Sequence, residues 1–293
     1  MANYRFFVEY EGTRYDGWQR QGNTDRTIQG KLEAVLSRLF AREIEVHGSG
    51  RTDAGVHAAA QVANFHVPDS VGFSCLDDVG AGGLAVAGSW RPAGAMPPGP
   101  GKSDCRALES ALNRYLPEDI GVFGLERTDE RFHSRYQAVG KTYCYRIWTR
   151  EEKPVFARRF VWQLPKPLDA AAMQQAARRA VGTWDFASFC GNKRMKKSTV
   201  RTVDRLEVKE RAELVEIYVH GDGFLQNMVR ILAGTLTEVG QGKRGWEEME
   251  KILAAKNRAA AGMTAPAQGL CLETVDYDPP FLPPAGTPCR NFW

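Results

Sequence analysis

Apolar residues recur along this chain at two spacings, and the alternation between them lays out its elements. Tyr4, Phe6, Val8 and Tyr10 fall on one face of a period-2 segment, which predicts a strand over 4–10. The polar, glycine-punctuated EGTRYDGWQRQGN that follows reads as a loop. Helical spacing then sets in, with Ile28, Leu32, Val35, Leu36 and Leu39 on one face and Thr27 as the N-cap. Gly30 stands where a capping box would carry Glu or Gln, so that helix start is weaker than it could be. EIEV (43–46) and QVANFHV (61–67) read as strands with a turn between them.

Further on, Asp104 is placed to cap a helix whose stripe is Leu108, Ala111, Leu112 and Tyr115, ended by Pro117. KTYCYRIW (141–148) is strand-like, and a helix from about 169 to 181 stops at Gly182. Strands at about 203–209 and 213–220 lead into FLQNMVRILAGTLTEVG, where Leu225, Met228, Leu232, Leu236 and Val239 repeat as a helix face. A last helix begins near Trp246, and the proline-rich tail from Pro279 reads as irregular. Neighbouring strands outnumber what strict βαβ alternation would give, so the fold class is α+β in two halves, 1–103 and 104–293. Residues 69–103 break the pattern with VGAGGLAVAG and RPAGAMPPGPG and read as a flexible insertion. The GxGxxA string from Gly80 to Ala85 is not a dinucleotide site, because no apolar strand precedes it and no helix pattern follows.

Composition narrows the class without naming a chemistry. With 43% hydrophobic and 25% charged residues in 293, the chain is globular rather than disordered. Nothing approaches the roughly 20 apolar residues that cross a bilayer. Six scattered cysteines without a CxxC pair predict reduced thiols and a cytoplasmic setting. Five dispersed histidines predict no metal. A net charge of +4 is too small to imply an anionic partner unless the basic residues cluster.

HGSGRTDAGVHA, 47–58, carries the sharpest chemical signal. Gly48, Gly50 and Gly55 allow positive backbone angles and close approach by another molecule. Arg51 is placed to keep Asp53 ionised, and a fixed, desolvated carboxylate is a competent nucleophile. The plainer reading is an Asx-turn. A glycoside hydrolase would need a second carboxylate, and Asp16 and Asp222 sit in loops without a paired acidic motif. No GxSxG elbow supports a serine triad.

GRTDAGVHA closely resembles the signature of the TruA family of tRNA pseudouridine synthases. EYEGTRYDGWQRQ, ALNRYLPEDI, RFHSRYQAVGKTYCYRI, DFASF and GFLQNMVRILAGTLTEVG resemble that family's other blocks, in order, over nearly the whole chain apart from the insertion and tail. The resemblance implies two α/β sandwich-like domains with mainly antiparallel sheets meeting at a central active-site cleft. It implies Asp53 as catalytic nucleophile, Tyr143 stacked on the target base with a role in proton transfer left open, and Arg230 paired with Asp53. Arg51 becomes an RNA-contacting or loop-fixing residue and Arg135 an RNA contact. Isomerising uridine involves no redox change, so no cofactor is expected. tRNA is the implied partner, positions 38–40 of the anticodon stem-loop the implied target, and a homodimer the implied assembly.

On the residues alone, Tyr143 in an alternating strand reads as core packing. Arg230 on an apolar helix needs an anionic partner or a route to solvent. Lys193, Arg194, Lys196, Lys197 and Arg201 form a basic run that reads as a solvated loop or as phosphate contacts. Arg14, Tyr15, Trp18, Gln19 and Arg20 interleave charge with aromatics, which suits a folded RNA loop, with packing of Trp18 onto its own sheet as the alternative. Two rival functions remain: a catalytically silent RNA-binding protein on the same scaffold, and the same chemistry on another RNA.

Overall fold

A computed structural model of the protein describes residues 1–73, 102–192 and 194–284. Most of the expected insertion, part of the expected tail, and Lys193 therefore lie outside the described residues. Within them the α+β class holds. Ten strands join in a single mixed sheet, and five α-helices accompany it.

The strands are β1 (Ala2–Tyr10), β2 (Val46–Gly48), β3 (His57–Val67), β4 (Ile120–Thr128), β5 (Ala138–Trp148), β6 (Trp162–Gln163), β7 (Gly182–Asp185), β8 (Val200–Arg211), β9 (Leu214–Gly221) and β10 (Leu270–Tyr277). Their order is β4-β1-β3-β10-β5-β9-β8-β7, with β2 on β3 and β6 on β5. All ladders are antiparallel except β10 with β3 and β5 with β6. The helices are α1 (Ile28–Leu39), α2 (Lys102–Tyr115), α3 (Ala170–Arg179), α4 (Met228–Gly240) and α5 (Glu248–Ala255).

β10, the last strand, occupies the middle of the sheet. It meets β3 through two residue pairs only, Cys271 with His57 and Leu272 with Ala58, and β5 along its length. The chain thus closes its own sheet with a strand inserted between earlier ones. No element was expected at β10 or β4. Each has an extra residue in its ladder, between Leu272 and Thr274 in β10 and between Phe123 and Glu126 in β4. Such bulges break the period-2 signal.

α1 starts as its sequence indicates: Thr27 Oγ1 accepts from Gly30 N at 3.2 Å. Its buried face is Ile28, Leu32, Leu36 and Leu39, each worth about 1.5–3 kcal/mol on burial. Asp169 caps α3 by accepting from Ala172 N at 2.8 Å. α4 is buried nearly all round, which marks a central helix rather than a surface one. Its threonines return their hydroxyls to the helix backbone, Thr235 to Ile231 O at 2.8 Å and Thr237 to Ala233 O at 2.7 Å.

Two boundaries differ from expectation. EIEV yields a strand only from Val46, because Ile44 N bonds Ser37 Oγ and Val46 N bonds Glu33 Oε1, tying the segment to α1 instead of a ladder. α2 begins at Lys102, so Asp104 lies inside the helix rather than at its cap.

Candidate active site

The loop 49–56 between β2 and β3 is fixed from several directions. Ser49 N bonds Val62 O at 2.8 Å, and the Ser49 hydroxyl bonds Gln61 Oε1. Gln61 Nε2 reaches Gly50 O at 3.1 Å. Thr52 shares a 2.9 Å hydrogen bond with the Tyr10 hydroxyl, and its carbonyl accepts from Trp18 N at 3.1 Å. Gly55, at φ 79°, donates to Tyr15 O at 3.2 Å. Asp53 is held out from this frame with a third of its side chain exposed.

Two of the three glycines of this turn have jobs other than those expected. Only Gly55 is left-handed; Gly48 and Gly50 make room for this chain's own side chains. A Cβ on Gly48 would stand 2.4 Å from the Trp18 ring, and one on Gly50 would stand 2.9 Å from Lys141 Nζ. Arg51 is not the countercharge either. It is exposed at the edge of the site, and the salt bridge of Asp53 is with Arg230, Nη1 to Oδ2 at 3.5 Å.

Arg230 comes from the first turn of α4 and is anchored twice more. Its Nε donates to Ala265 O at 2.8 Å and its Nη1 to Asn227 Oδ1 at 3.0 Å. Asn227 precedes the helix at φ 59°, a left-handed conformation that Asn tolerates better than most residues. Burial raises the pKa of Asp53, and the attraction of Arg230 offsets only part of that rise. The carboxylate is therefore poised, paired but incompletely stabilised.

Asp53, Tyr143 and Arg230 line one cavity of about 430 Å³, together with Arg51, Arg135, Lys141, Met195, Phe224 and Asn227. The sheet brings them together. β3 leads out of the Asp53 loop, β5 carries Tyr143, and β10 alone separates them, a backbone spacing of roughly 10 Å. Tyr143 is 7% exposed and meets Phe224 edge-to-face at 5.3 Å. Burial, reinforced by the charge of Asp53, raises its phenol pKa, so it enters any reaction protonated. Four of the named lining residues are cationic and one is anionic, an electrostatic setting for an anionic guest.

The other expected contacts divide. Arg135 lines the cavity and is exposed. Lys196 and Lys197 line a neighbouring groove of about 940 Å³ that shares Asn192 and Met195 with the cavity. Arg194 is exposed in the same loop, and Arg201 turns back to Ser198 O at 3.0 Å. Arg14 is engaged by Asp119 at 2.8 Å and Glu118 at 3.2 Å, and Arg20 by Glu33 at 3.2 Å. Gln19 is half-buried, and neither it nor Arg14 nor Arg20 lines the cavity. Of the two readings of Trp18, RNA contact or packing, the fold shows packing: it is only 2% exposed, lying across Gly48 and beside Tyr10.

One residue lining the cavity and two beside Arg135 were not foreseen. Lys141 lines the cavity. His133 stacks on His47 at 5.0 Å and carries Tyr136 at 4.2 Å, so a column of rings ends in an aromatic that is 80% exposed. A buried network holds this turn: Ser134 donates to His47 O at 2.6 Å and receives from the Tyr277 hydroxyl, through its carbonyl, at 2.6 Å. An exposed Tyr next to an Arg in FHSRY was the available signal. His57, by contrast, is structural: Nδ1 accepts from Gly12 N at 3.0 Å, so Nε2 donates to Arg159 O at 2.9 Å, and burial lowers its pKa.

Comparison with known proteins is consistent across most of the chain. A family profile described as tRNA pseudouridine synthase matches residues 6–137 and 176–278, spans that include Asp53 and Arg230, with Tyr143 falling between them. A protein of Bacillus cereus (strain ZK / E33L) called tRNA pseudouridine synthase A 2 is 41% identical over 277 residues, 94% of this chain and 100% of that protein. A protein of the same name from Bacillus anthracis is 40% identical over the same length and coverage. One from Clostridium perfringens (strain 13 / Type A) is 38% identical over 279 residues, with 94% and 100% covered.

Proposed function

Because the chain belongs to the tRNA pseudouridine synthase family, an isomerase family, we propose that it converts uridine to pseudouridine at positions 38–40 of the anticodon stem-loop. The observation that carries this reading is the pairing of a partly desolvated Asp53 with Arg230 in a cavity of about 430 Å³ floored by Tyr143, within the size range of small-molecule sites. The proposed roles are Asp53 as nucleophile, Arg230 as its positioning countercharge, and Tyr143 as the ring on which the extruded base stacks.

The reaction breaks the N1–C1′ bond, turns the uracil, and joins C5 to C1′; a proton leaves C5 and one is taken up at N1. Attack of Asp53 at C6, attack at C1′, and assisted departure to a glycal all require an anionic carboxylate beside a base swung out of its stack. Removing the base from water strengthens each of these charge interactions.

For RNA contact, Arg51 and Arg135 at the cavity edge and Arg194, Lys196 and Lys197 in the adjoining loop suit phosphates. The exposed Tyr136 suits stacking on a base. We also propose a cytoplasmic homodimer with tRNA reaching across both subunits. Six cysteines scattered without a CxxC pair suit a reducing compartment. No helix among the described residues is long and apolar enough to cross a membrane. Sedimentation at working concentration reads the assembly directly.

Mapping pseudouridine in tRNA with and without the protein tests the target. Modification confined to 38–40 supports it; modification elsewhere, or none, removes it. Changing Lys193, Arg194, Lys196 and Lys197 together to Ala is expected to weaken tRNA binding by roughly tenfold or more. The salt dependence should flatten as well, by roughly 0.7–0.9 in slope for each phosphate that is no longer neutralised. Unchanged affinity and slope in salt titrations would make that loop a bystander.

A further inference from the structure

The proposed roles leave one cation in the cavity unused. Lys141 stands two residues before Tyr143 on β5, so both side chains leave the same face of the strand, roughly 7 Å apart along it. Its Nζ donates to Ser49 O at 2.8 Å, behind Gly50, which has no side chain to block it. An ammonium has three donors, so the Ser49 carbonyl leaves capacity for a guest. Desolvation and then repulsion from Arg135 push its pKa down to about 8, and no carboxylate contributes. A neutral donor could hold the Ser49 carbonyl without the cost of burying a charge. What the ammonium adds is charge in the cavity wall beside Tyr143.

Position separates this cation from the others. Arg51 and Arg135 are exposed at the edge, where the phosphates of an extruded nucleotide remain. Lys141 is half-buried, on the same face of β5 as Tyr143, where the base goes. We propose that Lys141 is a catalytic residue that donates a hydrogen bond to a carbonyl oxygen of the target uracil and holds the negative charge the ring acquires as its bond to ribose breaks. This rests on the reading of the Asp53 cavity as the uridine site. When N1–C1′ breaks, the bonding pair stays with uracil and spreads onto O2 and O4; when a carboxylate adds at C6, the charge passes to O4. Lys141 therefore serves every route, keeps its own proton throughout, and supplies electrostatic stabilisation where charge develops.

The pH dependence has a definite sign. The ammonium form is required, so turnover falls as pH rises through about 8. The charged groups facing Lys141 are Asp53 and Arg51 from the loop, Arg135 from the segment before β5, Tyr143 on its own strand and Arg230 from α4. Its strand neighbours Val275 and Gly221 bring no charge. Burial raises the Tyr143 phenol away from this range, and loss of the Asp53 proton forms the anion the reaction needs, so neither group produces a fall on the alkaline side.

The test measures single-turnover rates on tRNA from about pH 6 to 10 together with tRNA affinity and melting temperature. Lys141→Met is expected to lower the rate by roughly 10²-fold or more, with affinity nearly unchanged and no fall above about pH 8. Lys141→Arg, whose charge persists, is expected to recover most of the rate and to lose the alkaline fall. A Met variant with the parent's rate, a loss expressed wholly as weaker tRNA binding, or an Arg variant that still shows the alkaline decline would overturn the proposal. Should the Met variant fail to fold, the Arg profile decides. Asp53→Asn run in parallel separates the two readings: if it turns over, the site assignment falls; if it does not while Lys141→Met does, only the lysine's role falls.

Discussion

Asp53→Asn is expected to lose at least about 10⁴-fold in pseudouridine formation while the protein still folds and binds tRNA. The substitution keeps the size of the side chain and removes the charge that every considered route needs. Nothing in the loop depends on that carboxylate for its hydrogen bonds. Ser49, Gln61, Thr52 and Gly55 make the fixing contacts, and the carbonyl of residue 53, which accepts from Val56 N at 3.2 Å, survives the change. Stability sharpens the expectation. Burial raises the folded pKa of Asp53 above its unfolded value even with Arg230 present. A carboxyl shifted upward favours the folded state most when protonated, and that contribution is lost as pH rises through the folded pKa. At neutral pH the parent therefore carries a cost that Asn removes. The Asn variant should melt no lower than the parent at neutral pH, with the difference closing in acid. Thermal melts across pH paired with single-turnover assays check both halves. A variant that turns over normally reduces the turn to scaffolding, and one that melts several degrees lower makes Asp53 a structural residue.

The strands and helices that could be read beforehand are those with a long enough run of alternation or of helical spacing: β1, β3, β5, β8, β9 and the five helices. β10 could not, because the extra residue between Leu272 and Thr274 moves its buried positions from Leu270 and Leu272 to Val275 and Tyr277, out of phase, yet it is the strand that sets the distance between the Asp53 loop and Tyr143. EIEV overstated a strand because nothing local reveals that Glu33 and Ser37 of α1 will take its amides. In the site, the loop's glycines were legible as a constraint but not as room for Trp18 and Lys141, since both come from distant segments. Arg51 looked like the countercharge by proximity along the chain. Arg230, far along the chain, stands closer in space because α4 begins at the cavity. From residue types alone Trp18 could have been an RNA contact or packing, and its position against Gly48 decides for packing. Lys141 was invisible for a simpler reason: a lysine in a strand carries no pattern until the surface it faces is known.

Arg230→Ala is expected to lower turnover by roughly 10²–10³-fold and to cost about 1–3 kcal/mol in stability. The guanidinium makes three contacts of different kinds: the carboxylate of Asp53 at 3.5 Å, the Ala265 carbonyl at 2.8 Å and the Asn227 side chain at 3.0 Å. Its removal unpairs the carboxylate, strips a carbonyl of its donor and frees the left-handed Asn227 at the start of α4. Arg230→Lys restores the charge but not the fork, so it should recover part of the activity and little of the geometry. The acid limb of the pH–rate profile distinguishes the electrostatic share. Arg230 is the group that opposes the effect of burial on Asp53, so the Ala variant should lose activity at higher pH than the parent as acid is added, while the Lys variant should stay near it. A double-mutant cycle supplies the remaining test. If the arginine acts through Asp53, then Arg230→Ala in an Asp53→Asn background should cause almost no further loss of turnover, although it still lowers the melting temperature. Fully additive losses would mean that Arg230 serves the RNA or the fold independently, and its assignment as the positioning partner of the carboxylate would fall.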